Sequence, residues 1–503
     1  MLKYSTRQDI TVRKQSDKPT PKGSIASGAV WSILDNVAAQ GITFVIFLVL
    51  ARLLDPHLYG MLSVSILITQ LFRTVIFESI ATSIIRKHEP TDEDFNTAFL
   101  SCCIFAVPAF LIVFFSANIL ENMMHIQGLG DVIRGTSVII LVSGLSKVHE
   151  AWLTHRLLFR SLAIRSITSI GLGGIVGVYL AWKGMGITSL VMQQVVTSVV
   201  ATITLWLATP WKPRLRFSMA SFKESMRFSR HVALSGMTNF ANQNSDIFFI
   251  TYYLGSAAAG VYSAGKRIVN TLNTVMATAL MRVSLPAFSR VKNQLDEFKS
   301  HYLNATFFTI LLTAPAFIGL CYLSHDVTWL LLGQKWMASV PVMQIVSATG
   351  FIVSIGYYNH TVMFARDRPD WQSRLTLLYA VTNITVFFIF VRYGLVAMAL
   401  SYSLRTLLLY PVSAWCALTL LNVTWKEYLA QITSPIIGSL VMCLGLFAMD
   451  SALGLKTGWE KLLLDIAAGA VIYGLYVLIF IPRHKLAIFS NAVAMVRNRK
   501  KPA

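Results

Sequence analysis

Long apolar runs, each near the length of a membrane crossing and parted by short polar breaks, fill the chain from residue 28 to residue 482. A helix needs about 20 mostly apolar residues to cross about 30 Å of hydrocarbon. On that measure the pattern predicts about fourteen spans. The first six run roughly 28–52, 61–85, 96–120, 132–156, 163–182 and 186–208. Six more run roughly 231–254, 258–282, 301–323, 339–365, 373–393 and 395–421, and a last pair 429–452 and 459–482. The runs are continuous rather than alternating in about ten-residue pieces, which excludes a porin-like barrel. The expected fold is an all-α, polytopic membrane protein.

Polar residues interrupt several runs in register. In HVALSGMTNFANQNSDIFFITYYLG at 231–255, a turn of about 100° per residue puts Ser235, Asn239, Asn242, Gln243 and Asp246 on one stripe, with Asn244 off it. The first span repeats this with Ser32, Asp35, Asn36 and Thr43, Gln40 standing at the edge. The second span adds Gln70 and Arg73; the eighth adds Lys266, Asn270 and Asn273, with Arg267 flanking them. Such stripes fit either a hydrogen-bonded helix seam or the wall of a wet cavity. A charge at mid-bilayer costs at least about 2.5–3.5 kcal/mol, so several in one chain favour a shared cavity. The candidate lining is Gln70, Arg73, Asn239, Asn242, Gln243, Lys266, Arg267, Asn270 and Asn273, with Asp246 and Asp35 as candidate ion-coupling acids. Single charges have plainer explanations too. Lys147 and Glu150, three apart, can neutralise one another. Asp35 lies early enough in its span for solvation, and Arg405 and the Lys266–Arg267 pair can snorkel or meet a carbonyl.

The chain also repeats itself. ARLLDPHLYGMLSVS at 51–65 lies over TYYLGSAAAGVYSAG at 251–265, setting Leu54 on Leu254, Gly60 on Gly260 and Ser63 on Ser263. Farther on, Pro108 in AVPAFLI meets Pro315 in TAPAFIG. An even number of spans separates the copies, so both halves enter the membrane in one direction, a parallel repeat about an axis along the membrane normal. The expected layout is a basic tail at 1–27, a six-helix lobe at 28–208, a basic linker at 209–230, a second lobe at 231–421, two further helices at 422–486 and a basic tail at 487–503.

Composition agrees with this pattern. Of 503 residues 55% are hydrophobic and 13% charged, which excludes an ordinary soluble globule. The formal charge of +20 could point to nucleic acid. Its placement points to lipid instead. The basic residues gather on alternate loops, as in RKHEP at 86–90, RLLFRSLAIR at 156–165 and WKPRLRF at 211–217, whereas 121–131 has no Lys or Arg. By the positive-inside rule both termini and these basic loops are expected in the cytosol, against anionic lipid. The N-terminal stretch lacks a signal-peptide pattern. The five cysteines lie in apolar runs without metal-ligand spacing. HEAWLTH at 149–155 misses the HExxH zinc spacing, because Leu153 stands where the second His belongs. There is no Walker A loop. A transporter is expected rather than an enzyme, with no cofactor and no metal.

These motifs resemble the polysaccharide transporter family of the multidrug/oligosaccharidyl-lipid/polysaccharide exporter superfamily, in particular its colanic-acid-exporter-like (Wzx-type) flippases. The resemblance runs from about Gly28 to Leu421. It rests on LARLLDPHLYG at 50–60, THRLLFRSLAIRS at 154–166, PWKPRLRFS at 210–218, NSDIFFITYYLGSAAAGVYSAGKR at 244–267 and LLGQKWMASVPVMQI at 331–345. It implies a V-shaped pair of six-helix lobes with two extra helices, working in the bacterial inner membrane. The implied substrate is an undecaprenyl-diphosphate-linked oligosaccharide for exopolysaccharide, capsule or O-antigen synthesis, moved by ion-driven alternating access. A polysaccharide polymerase and export machinery are the implied partners. Asn244 and Asp246 match the family's N-x-D pattern; Thr251 or Tyr252 stands where the family has Gly. The alternatives are a lipid II or multidrug exporter of the same superfamily and, in another class, a membrane polymerase or ligase of lipid-linked sugars.

Overall fold

The computed structural model describes residues 23–290, 294–454 and 457–482. Of the two basic tails, residues 1–22 and 487–503 lie outside the described residues. All regular structure among the described residues is helical. The first lobe holds α1 (Gly23–Leu53) and α2 (Pro56–Phe72), which continues through a π turn (Arg73–Glu78) into α3 (Ser79–Ile85). After these come α4 (Asp92–Met124), α5 (Leu129–His155), α6 (Phe159–Trp182) and α7 (Ile187–Ala208). The second lobe holds α8 (Met219–Arg290), α9 (Leu295–Tyr322) and the short α10 (Ser324–Leu331). A 3-10 turn (Gln334–Ser339) leads into α11 (Val340–Ile355), followed by α12 (Asn359–Ala365), α13 (Pro369–Phe390) and α14 (Leu395–Leu421). Last come α15 (Trp425–Leu453) and α16 (Trp459–Phe480).

Among the described residues, thirteen helical segments are long and apolar enough to cross a membrane. One of them crosses twice. At Gly255 the backbone of α8 takes φ 83° and ψ 174°, a conformation open to glycine. The Tyr262 hydroxyl donates to the Asp246 carboxylate at 2.8 Å, and the Lys266 ammonium to the Gln243 carbonyl at 3.2 Å. In an unbroken helix residues 243 and 266 would stand about 35 Å apart. The chain therefore reverses at Gly255 and α8 is a hairpin, giving fourteen crossings. The short loop expected between residues 254 and 258 is replaced by this single glycine.

The two lobes touch where the repeat is strongest. A Cβ on Gly60 would run into the Ser256 carbonyl, and one on Gly260 into the Pro56 carbonyl. Each glycine thus admits the backbone of the other copy's turn. Beside this crossing, on the face opposite the basic loops, the α1–α2 turn is clasped by the segment after α10. Trp336 Nε1 donates to the Ala51 carbonyl at 2.8 Å, Lys335 pairs with Asp55 at 2.8 Å, and Arg52 bonds the Leu330 and Leu331 carbonyls. The wholly buried Trp336 ring stands edge-on to Tyr59 at 5.4 Å.

On the basic face the linker is stitched to the first lobe. Backbone N–H groups of Arg214 and Ser218 donate to Asn96 Oδ1 and Thr97 Oγ1 at 2.8 and 3.0 Å. Lys87, between α3 and α4, pairs with both Asp94 and Glu224 at 2.8 Å. Burial works against its charge, but the two carboxylates outweigh it and raise its pKa. The last two helices are tied to α10 by Lys461, which reaches Asp326 at 2.9 Å and Asp450 at 3.3 Å.

Candidate functional site

A cavity of about 880 Å³ lies between the lobes. Its walls come from α1 and α2 on one side and from both arms of α8 with α11 to α14 on the other. Its depth follows from residue counts. Gln40, Thr43 and Phe44 lie about ten residues short of the α1–α2 turn, and Lys266 and Arg267 about eleven past Gly255, which places them near mid-membrane at 1.5 Å per residue. Gly356, His360 and Gln372 extend the lining towards the basic face. At the opposite end, the Gly60–Gly260 crossing and the Trp336 clasp close it.

Seven of the residues expected on the lining are there: Gln70, Asn242, Gln243, Lys266, Arg267, Asn270 and Asn273. Asn244, off the predicted stripe, lines it as well. Four other candidates stand elsewhere. Asn239 is exposed, about one turn nearer the basic face. Asp246 is 2% exposed and sits behind the wall, accepting from Lys266, from Tyr262 and from the Ile247 N–H at 2.9 Å. Arg73 opens the π turn, whose wider pitch breaks the 3.6-residue register from which its stripe was extrapolated. Its electrostatic neighbours are Glu150, Glu78 and Arg165. Asp35 belongs to the same group inside the first lobe, bonded to Ser166 with one carboxylate oxygen unpartnered. There Glu150 pairs with Lys147 at 3.4 Å and with Arg165 at 3.3 Å. The expected Lys147–Glu150 pairing is thus present, within a larger network.

Among the described residues no carboxylate lines the cavity, yet three cations do. Lys266 is matched by Asp246. Arg267 lies over the Phe47 ring at 4.5 Å, and its charged or ionisable neighbour is Tyr59. Arg405 donates from Nε to Thr382 Oγ1 at 3.1 Å and from one Nη to the Tyr379 carbonyl at 2.6 Å. Neither guanidinium has a carboxylate partner among the described residues. The rest of the lining mixes apolar side chains such as Ile66, Leu67, Leu375 and Leu409 with hydroxyls, amides and phenols: Asn383 donates to Asn242 Oδ1 at 2.5 Å, and Tyr379, Tyr402 and Tyr410 face the space. A smaller pocket of about 110 Å³ adjoins the cavity, walled by Phe47, Leu50, Leu62 and Ile66 together with Gln193 and Gln194, and Arg267 lines both. Uncompensated guanidinium and amide groups in a low-dielectric wall suit an anion bearing many hydroxyl groups.

Comparison with known proteins gives a consistent result. Residues 49–341 match the family model described as polysaccharide biosynthesis protein. The chain is 27% identical over 324 residues to the succinoglycan biosynthesis transport protein ExoT of Rhizobium meliloti (strain 1021), covering 64% of this chain and 66% of that one. It is 22% identical over 473 residues to the teichuronic acid biosynthesis protein TuaB of Bacillus subtilis (strain 168), covering 90% and 95%. Among solved structures, the lipid II flippase MurJ in an inward closed conformation superposes with a TM-score of 0.73 at 16% identity, covering 90% and 98%. That likeness concerns the fold.

Proposed function

The chain belongs to the polysaccharide biosynthesis protein family, and from that premise we propose that it flips lipid-linked oligosaccharides across the bacterial inner membrane. The observation that carries this reading is the amide- and guanidinium-lined cavity at mid-membrane, without a carboxylate among the described residues. A polyprenyl-diphosphate-linked glycan must carry a diphosphate and many hydroxyl groups through about 30 Å of hydrocarbon. Arg267, which faces the cavity without a carboxylate partner among the described residues, suits the diphosphate. Gln70, Asn242, Gln243, Asn270 and Asn273 supply hydrogen bonds to sugar. The transport protein and the teichuronic acid biosynthesis protein among its relatives support the same substrate class.

Asp246 is the proposed ion-coupling acid, with Asp35 as a second. When charged, Asp246 holds Lys266; a proton on Asp246 releases the ammonium to bind phosphate. An ion gradient would thereby couple to alternating access, one lobe rocking on the other. Arg73, off the lining, is assigned to balancing Glu150. The basic loops support a cytosolic position for both termini, and a polysaccharide polymerase with its export machinery would take up the product.

The test is flipping of a lipid-linked oligosaccharide in proteoliposomes with and without a proton gradient. Asp246→Asn keeps the shape of the side chain but cannot titrate. Its flipping should no longer respond to the gradient, while lipid-linked sugar still binds. A wild-type gradient response in Asp246→Asn removes Asp246 from coupling. Absence of flipping by the wild type removes the function itself.

A further inference from the structure

The two uncompensated guanidinium groups occupy different walls. Arg267 faces the first lobe, against Phe47 and Tyr59. Arg405, on α14, belongs wholly to the second lobe. Tyr402 is an electrostatic neighbour of both Arg405 and Lys266, whereas that of Arg267 is Tyr59. Arg267 also lines the smaller pocket, whose walls mix Phe47, Leu50, Leu62 and Ile66 with Gln193 and Gln194. Arg405 does not line that pocket. Its surroundings are aromatic: the guanidinium lies 4.9 Å from the Tyr379 ring centre, with Tyr402 and Tyr410 also on the lining.

Two protein acceptors fix the plane of this guanidinium, leaving its other Nη without an acceptor among the described residues. Phenol rings stack against the C–H faces of pyranose sugars, and a fixed guanidinium fork matches a carboxylate. We propose that Arg405, framed by Tyr379, Tyr402 and Tyr410, is a subsite for an acidic sugar of the glycan, such as a uronate. It is distinct from the diphosphate site at Arg267. This rests on the flippase reading above and adds an orientation to it: lipid diphosphate at Arg267, the acidic sugar at α13 and α14. A sugar carboxylate and a phosphate share this chemistry, and the experiment separates them.

Purified wild type and variants in lipid nanodiscs are titrated calorimetrically with cellobiuronic acid, its neutral counterpart cellobiose, and geranyl diphosphate. The wild type should bind cellobiuronic acid about tenfold more tightly than cellobiose, the scale of one charge-assisted bidentate contact. Arg405→Gln should bring that ratio to about one. Arg267→Gln should weaken geranyl diphosphate about tenfold and leave the ratio in place. If Arg405→Gln does not fold, Arg405→Lys carries the test: it should retain a preference weakened at least about threefold. A wild-type ratio near one overturns the subsite. So does a ratio that survives in Arg405→Gln, or is undiminished in a folded Arg405→Lys. Loss of geranyl diphosphate in Arg405→Gln equal to that in Arg267→Gln makes Arg405 a phosphate ligand and also overturns it. Failure of the wild type to bind geranyl diphosphate, with the sugar ratio intact, counts against the diphosphate assignment and not against the subsite.

Discussion

At the scale of single residues, the structure turns on places where a side chain is missing or unmatched. Gly60 and Gly260 pack backbone to backbone, so Gly60→Ala or Gly260→Ala must push the lobes apart. Each should cost at least about 1–3 kcal/mol, the range for overpacking. Gly41, with nothing within 4 Å of a built Cβ, is the control. Gly41→Ala should leave the detergent melting temperature unchanged or slightly higher, while the other two lower it by several degrees. The glycine pair was legible in the sequence through the alignment of the two halves. Arg405 was not. It sits alone in an apolar run, and its partners Tyr379 and Thr382 lie on another helix, so no stripe announced it. Asp246 and Lys266 were both visible, but not as a pair. Their nearly equal spacing from Gly255 was the available signal, readable once that glycine is taken as a reversal rather than a loop edge.

At the scale of elements, hydropathy located the helices well because each crossing must satisfy its own backbone hydrogen bonds. It was silent on pitch, so the π turn at Arg73–Glu78 moved Arg73 out of its expected place. It was equally silent on the clasp, since QKW at 334–336 is too short to carry a period. Trp336 holds that clasp through its Nε1–H bond to Ala51 and its packing on Tyr59. Trp336→Ala should cost about 3–5 kcal/mol and loosen the closed end. A single cysteine at Ser263, in a background lacking the native five, should then react faster with a membrane-impermeant thiol reagent added on the clasp side. An unchanged rate would mean that the glycine crossing alone seals that end. At the other end of the chain, Lys461→Met leaves Asp326 and Asp450 without their shared cation. It should free α16 to be clipped by protease in detergent while the first lobe stays intact.

At the scale of the molecule, the basic face carries the linker, the Lys87 bridge and the end of the cavity lined by Gly356, His360 and Gln372, and the opposite face carries the clasp. Cysteines placed in 86–91 and 125–128 should therefore label from opposite sides of the membrane. Labelling of both from outside intact cells would reject the crossing pattern. The repeat made the two-lobed plan readable, but not which end was closed, because closure depends on contacts between segments hundreds of residues apart, such as Ala51 with Trp336. At the Gly60–Gly260 crossing the two backbones meet directly. Side-chain contacts can repack into a second arrangement, but two backbones in direct contact have nothing to rearrange, so this point is suited to act as a fulcrum. From Gly60 to Ile85 the helix extends about 37 Å, so a tilt of only about 10° there would swing the far end by about 6 Å. The molecule is then a lever with its pivot near one surface: small adjustments beside the glycines become a wide displacement at the basic face.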